Sequence, residues 1–149
     1  IGGIEKVFQV KLDPGELTAH ESPSYQEMEK EYTSDDFLMA RSEGRFGHIP
    51  SHVTRKSIQF NIPAGPFIRI IVLKKDDRIK DMIISGSIHA SPLRPTTPIH
   101  EIEKALKGEL IDKALFESKI NRVMDRPGFQ IAKVSPELLA QKIYECALS

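Results

Sequence analysis

At 149 residues the chain lies in the single-domain range and can bury roughly 70% of the surface its unfolded form exposes, so one hydrophobic core is expected. Its 40% apolar and 28% charged content is ordinary for a globular protein, and no apolar run approaches the ~18 residues that a membrane span requires. Basic and acidic side chains balance at 21 each, aromatic residues are few and tryptophan is absent, which argues against a nucleic-acid or membrane partner.

The single cysteine, Cys146, excludes an internal disulfide framework and any multi-cysteine metal or iron–sulfur centre, and fits a reducing, cytoplasmic setting. It follows Ile143 by three residues on one predicted helix face and reads as a small buried apolar side chain rather than a reactive thiol. The chain opens Ile1-Gly2-Gly3-Ile4, without methionine and without the charged-then-apolar layout of a signal peptide. Residues ahead of Ile1 are therefore expected to have been removed or to be disordered.

Phe8, Val10 and Leu12 alternate with Val7, Gln9 and Lys11, which predicts a short strand over Lys6 to Leu12, broken by Asp13-Pro14-Gly15. Ser22-Pro23 reads as a helix N-cap with proline at the first position, and Tyr25, Met28 and Tyr32 recur at helical spacing among Glu27, Glu29, Lys30 and Glu31. Gly44, Gly47 and Pro50 then mark residues 41 to 56 as linker or ordered loop, the boundary between an amino-terminal arm and a compact domain.

Ile58, Phe60 and Ile62 alternate with Ser57, Gln59 and Asn61, giving a half-buried strand that ends at Pro63-Ala64-Gly65-Pro66. From Phe67 to Leu73, Ile68, Ile70 and Val72 give one fully apolar face and Phe67, Arg69, Ile71 and Leu73 a mixed one, as expected of a central strand that needs apolar residues on both sides. A five-residue charged connection, Lys74 to Arg78, returns it antiparallel through Ile79 to Ser85. Three amphipathic helices should cover the sheet. Thr97-Pro98 caps one with Ile99, Ile102 and Leu106, ended by Gly108; Asp112 caps one with Phe116, Ile120, Val123 and Met124; Ser135-Pro136 caps one with Leu139, Ile143 and Ala147. These stripes are core rather than cofactor surface. The expected class is α+β, an antiparallel three-stranded meander covered by three C-terminal helices, with a strand-helix arm over 1–56 and the compact domain over 57–149.

The order β-β-α-α-α and its text resemble the carboxy-terminal accessory domain of lipoate-protein ligases, from about Glu29 onward. The carrying residues are Lys30-Glu31-Tyr32 with Phe37 in the linker, where the family commonly has Trp at the latter position. They continue with Gly65-Pro66-Phe67-Ile68, the stretch Arg78 to Ser87, and Ile102-Glu103-Lys104-Ala105-Leu106-Lys107-Gly108. Ser87 stands where that pattern usually carries an acid after Gly86. The resemblance implies a small sheet-plus-helices fold similar to that of sulfur-transfer and iron–sulfur scaffold proteins. Its activation site, with a glycine-rich Arg-Arg-x-x-Gly-Gly-Gly stretch and a Lys-x-x-Gly motif, has no counterpart in this chain.

The resemblance therefore implies an accessory domain or subunit, not catalytic alone, that enables a catalytic partner to convert lipoate and ATP to lipoyl-AMP before transfer to lipoyl carrier domains. ATP, Mg and lipoate are implied for the complete ligase and no cofactor for this chain by itself. Tyr32 and Phe37 are implied as linker anchors. Closure of such a lid would exclude water from an easily hydrolysed mixed anhydride.

Of the remaining polar groups, Ser85, Gly86, Ser87 and His89 form the candidate surface near the partner or adenylate, because Gly86 at a strand end admits another backbone or a phosphate. No Gly-x-Ser-x-Gly elbow supports a serine hydrolase. His48 and His52 are four apart, but Pro50 between them opposes the helix that would align them as metal ligands, so no metal site is expected. Arg69, on the central strand, should reach the sheet margin or pair with Asp81 opposite it. Two other classes remain open, a sulfur-transfer or iron–sulfur scaffold module and a non-catalytic interaction domain that docks through its amino-terminal arm.

Overall fold

A computed structural model describes residues 6–9, 11, 15–16, 18–34, 42–93 and 96–149. The chain divides into two units, Ile1–Ala40 and Arg41–Ser149.

In the first unit, helix α1 spans Glu21–Tyr32. It starts on a reciprocal cap at Thr18, four residues ahead of the expected Ser22. The Glu21 N–H donates to Thr18 Oγ1 at 3.2 Å, and the Glu21 carboxylate accepts from the Thr18 N–H at 3.0 Å and from its hydroxyl at 2.8 Å. These bonds hold the Glu21 carboxyl below its ordinary range. The strand expected over Lys6 to Leu12 is corrected by the structure, in which Lys6–Phe8 are helical. Val7 and Phe8, from the two sides of the alternation, are both exposed, so among the described residues neither side is buried to select a strand. Val10 and Leu12 lie outside the described residues, as does the linker-anchor candidate Phe37.

The second unit opens with a 3-10 turn at Glu43–Phe46 and continues into a sheet of β1 (Thr54–Asn61), β2 (Phe67–Lys75) and β3 (Arg78–Gly86), ordered β1-β2-β3. Both pairings are antiparallel, with β2 central as its two apolar sides require. Ile68, Ile70 and Val72 face the helices, while Ile71 and Leu73 are buried on the other side together with Ile83. The β2–β3 connection is shorter than expected, because pairing runs through Lys75↔Arg78 and leaves only Asp76-Asp77 to turn. Asp76 takes φ +55°, a left-handed conformation that aspartate tolerates. A bulge between Leu73 and Lys74 in the register leaves Lys80 unmatched, which lets Ile79 and Met82, three residues apart, both reach the core.

Helices α2 (Pro98–Leu106), α3 (Lys113–Met124) and α4 (Pro136–Leu148) close the core, α2 packing on β3, α4 on β2 and β1, and α3 on both helices. Each expected cap is present. Thr97 Oγ1 accepts from His100 N at 3.1 Å, Asp112 Oδ1 from Leu115 N at 2.7 Å, and Ser135 Oγ from Leu138 N at 3.2 Å. Phe116, Ile102, Leu106, Ile120 and Ile143 show no exposed surface. Lys74 Nζ donates to the Ala147 carbonyl at 3.0 Å, tying the end of α4 to β2. A second sheet, absent from the sequence reading, pairs β4 (Ala90–Ser91) with β5 (Gln130–Ile131).

Candidate functional site

Two features of the second unit place polar groups where chemistry or recognition could occur. The first is the end of β3. Gly86 takes φ +133°, and a Cβ there would sit 2.1 Å from the Phe67 carbonyl oxygen, so only glycine lets the strands close. Ser87 then continues the ladder, its N–H donating to Phe67 O at 3.0 Å and its Oγ accepting from Phe67 N at 3.0 Å. The hydroxyl thus serves as the acceptor for a main-chain donor at the sheet margin, and it is occupied by structure rather than held for nucleophilic work. Ser85 pairs with Arg69 across the ladder.

Beyond Ser87 the chain crosses toward β5, where the His89 carbonyl accepts from Ala132 N at 2.9 Å. His89 is exposed at the rim of a cleft of about 590 Å³ whose wall includes Ile88, Leu93, Met124 and Phe129. A smaller hollow of about 250 Å³, lined by Ser85, Gly86, Thr97 and Ile99, shares Ile88, Ala90 and Leu93 with it. The two adjoining hollows make a largely apolar trough, with Ser85 and Gly86 in one part and His89 in the other, while Ser87 is turned into the sheet margin. Volumes in this range suit a small ligand or the apolar side chains of another protein. Leu93, 76% exposed on its lip, is the largest apolar surface offered there.

The second feature was not legible in the sequence. Arg45, in the stretch read as linker, reaches the free edge of β3. Its Nη1 lies 3.0 Å from Glu103 Oε2 and its Nη2 3.3 Å from Asp81 Oδ1, and Nη2 also donates to the Met82 carbonyl. Glu103 is almost fully buried, and its other oxygen accepts from Ile84 N at 2.8 Å. Asp81 Oδ1 takes Met82 N at 2.8 Å, and Oδ2 meets Lys107 Nζ at 3.1 Å. The two carboxylates and one guanidinium thus satisfy the main-chain groups that an edge strand would otherwise leave open. Glu103 was findable in principle: it lies four residues after Ile99 on the apolar stripe of α2, and a buried acid needs a cation. Its partner, 58 residues away, had no sequence signal.

This clamp also corrects the placing of Arg69. Asp81 stands opposite Leu73, not Arg69, because the register sets Arg69 between Gln59 and Ser85. His48 and His52 are both exposed on loops, and no cluster of three or more potential metal ligands occurs among the described residues. Cys146 is fully buried on α4 with its Sγ 3.7 Å from the Ile70 carbonyl, and burial pushes the thiol up to about 11. It is a protonated core side chain at neutral pH and has no access to a sulfur donor. Tyr32 sits at the end of α1, where Tyr25, Met28 and Tyr32 form a stripe 43–47% exposed and no residue of the helix is buried. No helix among the described residues is long and apolar enough to cross a membrane.

No protein-family model matches the chain, and no curated protein matches it in sequence. Among solved structures it is similar to a chain from an archaeal lipoylation system, a bi-partite lipoate protein ligase and its E2 lipoyl domain from Thermoplasma acidophilum. The TM-score is 0.52 at 24% identity, covering 61% of this chain and 96% of that one. The likeness establishes a shared mixed α+β fold with part of a lipoylation system.

Proposed function

We propose that this chain is the accessory part of a two-part lipoate-protein ligase, working with a catalytic domain or subunit that activates lipoate with ATP and delivers it to lipoyl carrier domains. The observation that carries this reading is the likeness to a chain of the bi-partite ligase structure, which takes in nearly the whole of that chain. The carrying text of β2, β3 and α2 falls on the elements that build the sheet and its first covering helix.

Two features of the chain support such a role. The trough at Ser85, Gly86 and His89 is apolar with a polar rim, suited to covering an acyl or nucleotide site rather than to breaking bonds itself. The exposed stripe of Tyr25, Met28 and Tyr32 on α1 supplies large amphipathic side chains of the kind that anchor protein interfaces. The accessory unit would exclude water from the activated acyl group, and the arm would hold the two parts together. Burial of Cys146 speaks against the sulfur-carrier alternative.

The test is direct. The chain is mixed with the catalytic polypeptide of a two-part lipoate ligase, and lipoate-dependent AMP release is followed. Release should rise well above that of the catalytic polypeptide alone; equal rates with and without the chain dispose of the proposal.

A further inference from the structure

The even charge of the whole chain conceals an uneven distribution. Of its 21 basic and 21 acidic side chains, 18 and 12 fall in Arg41–Ser149, so the second unit is strongly basic. Part of that excess is gathered on α2 and α3. His100, Lys104 and Lys107 recur at helical spacing and make an exposed, wholly basic ridge along α2 and its C-cap. Two polar hollows lie beside it. One, of about 430 Å³, sets Lys104 and Lys107 against Lys119 and Arg126, with Glu101 and Glu109 between them. The other, of about 290 Å³, places His100, Lys104 and Lys107 beside Asp81 and Arg45.

The acids do not neutralise the surface that solvent meets, because the ion pairs are layered. Lys107 is 58% exposed against 26% for its partner Asp81, and Arg126 49% against 15% for Glu101. Lys119 and Glu109 are level, 2.9 Å apart. Lys107, Lys119 and Arg126 each give one donor to a carboxylate, whereas an ammonium has three donors and a guanidinium five. The rest remain for an incoming acceptor. Lys104, exposed and common to both hollows, makes no ion pair among the described residues.

We propose that this face of α2 and α3 is a docking surface for an acidic protein, whose Asp and Glu carboxylates take the outward donors of Lys104, Lys107, Lys119 and Arg126. The layering selects that partner. A compact polyphosphate needs donors converging on one point, but these cations are spread over two hollows, and Glu101 and Glu109 line the larger one, where they repel a dense anion. A nucleic-acid strand needs a run of unspent charge and, when single, aromatic platforms. Here most of the cations are already shared with an acid, and neither hollow is lined by Phe or Tyr. Carboxylates dispersed over a protein surface bring one charge each and match cations dispersed in the same way. Neither hollow offers a large apolar anchor, so the contact orients and speeds docking more than it tightens it. The inference rests on the charge layout alone and is independent of the ligase proposal.

The full chain is titrated against a fluorescein-labelled peptide of repeated Glu-Glu-Gly units, with its Gln-Gln-Gly counterpart as control, and binding is followed by anisotropy and by amide chemical shifts. The acidic peptide should bind with a dissociation constant below about 200 μM in 50 mM NaCl, and the constant should rise at least about tenfold by 300 mM. Shifts should concentrate in residues 100–107 and 119–126. Lys104→Glu, which breaks no ion pair, should weaken binding at least about fivefold, and Lys104→Gln by about half as much on a logarithmic scale. Lys75→Glu, the same charge change at the exposed end of β2, should alter it less than about twofold. Far-UV circular dichroism checks that the variants keep the fold. No binding up to about 1 mM, equal weakening by Lys104→Glu and Lys75→Glu, or shifts centred elsewhere would overturn the proposal. Tripolyphosphate or a DNA duplex moving the same resonances at lower concentration than the acidic peptide would overturn it in favour of a phosphate-bearing ligand.

Discussion

Replacing Arg45 with alanine should unlatch the edge of β3. In the intact chain Arg45 is 20% exposed and Glu103 4%, with 3.0 Å between them, so the pair is largely shielded from water. The variant leaves the Glu103 carboxylate buried with the Ile84 N–H but without its guanidinium, and takes a donor from the Met82 carbonyl. Stranding one member of a buried pair costs about 3–5 kcal/mol. Arg45 is partly solvated and Asp81 keeps Lys107, so the lower end, about 3 kcal/mol, is expected. For a domain of this size that is a fall in melting temperature of roughly 10–20 °C. The chain has no tryptophan, so urea unfolding is followed by far-UV circular dichroism. The cycle is completed with Glu103→Gln, which keeps an acceptor for Ile84 N, and the double variant Arg45→Ala/Glu103→Gln. Coupling of about 1–3 kcal/mol is expected, nearly independent of salt. An Arg45→Ala loss below about 0.5 kcal/mol, or a coupling that 0.5 M salt abolishes, would refute the reasoning.

Gly86→Ala should cost more than about 2 kcal/mol, since its Cβ meets the Phe67 carbonyl at 2.1 Å and its φ is +133°; a thermal melt within a degree or two of the parent contradicts that assignment. Cys146 should resist thiol reagents at neutral pH until the protein is unfolded, and modification of the native chain at the rate of a free thiol would show the site to be open. Its thiol is raised from 9.0 to about 11, so the protonated form belongs to the folded state. The associated stability is intact below pH ~9 and is lost as pH climbs toward ~11, a slope that Cys146→Ala should remove relative to the parent. His89→Ala should leave stability within about 0.5 kcal/mol because the side chain is exposed, yet reduce the gain in AMP release when the catalytic polypeptide is present.

The main sheet and the three covering helices could be read from periodicity and caps, because Ile68/Ile70/Val72 and Thr97, Asp112 and Ser135 are local signals that tertiary packing reinforces. What escaped the sequence was non-local or too short. The β4–β5 pairing has two residues on each side, below any detectable period, and the bulge at Lys80 is visible only as the odd spacing of Ile79 and Met82. Over Lys6 to Phe8 alternation misled, since period two selects a strand only where a sheet buries one face. At the trough, Gly86 was recognisable as a strand-end glycine, but the engagement of Ser87 by Phe67 depends on how β2 and β3 finish. The Arg45 clamp joins three distant segments, so a buried acid on α2 was the one trace of it in the text.

The central claim is that this chain completes a ligase while making no lipoyl bond itself. Intact-mass analysis of a lipoyl carrier domain, incubated with lipoate, ATP and Mg in the presence of the catalytic polypeptide, this chain, or both, tests it most directly. The account predicts abundant lipoylated carrier only where both polypeptides are present. Lipoylation by this chain alone, or an equal yield from the catalytic polypeptide without it, would contradict the account.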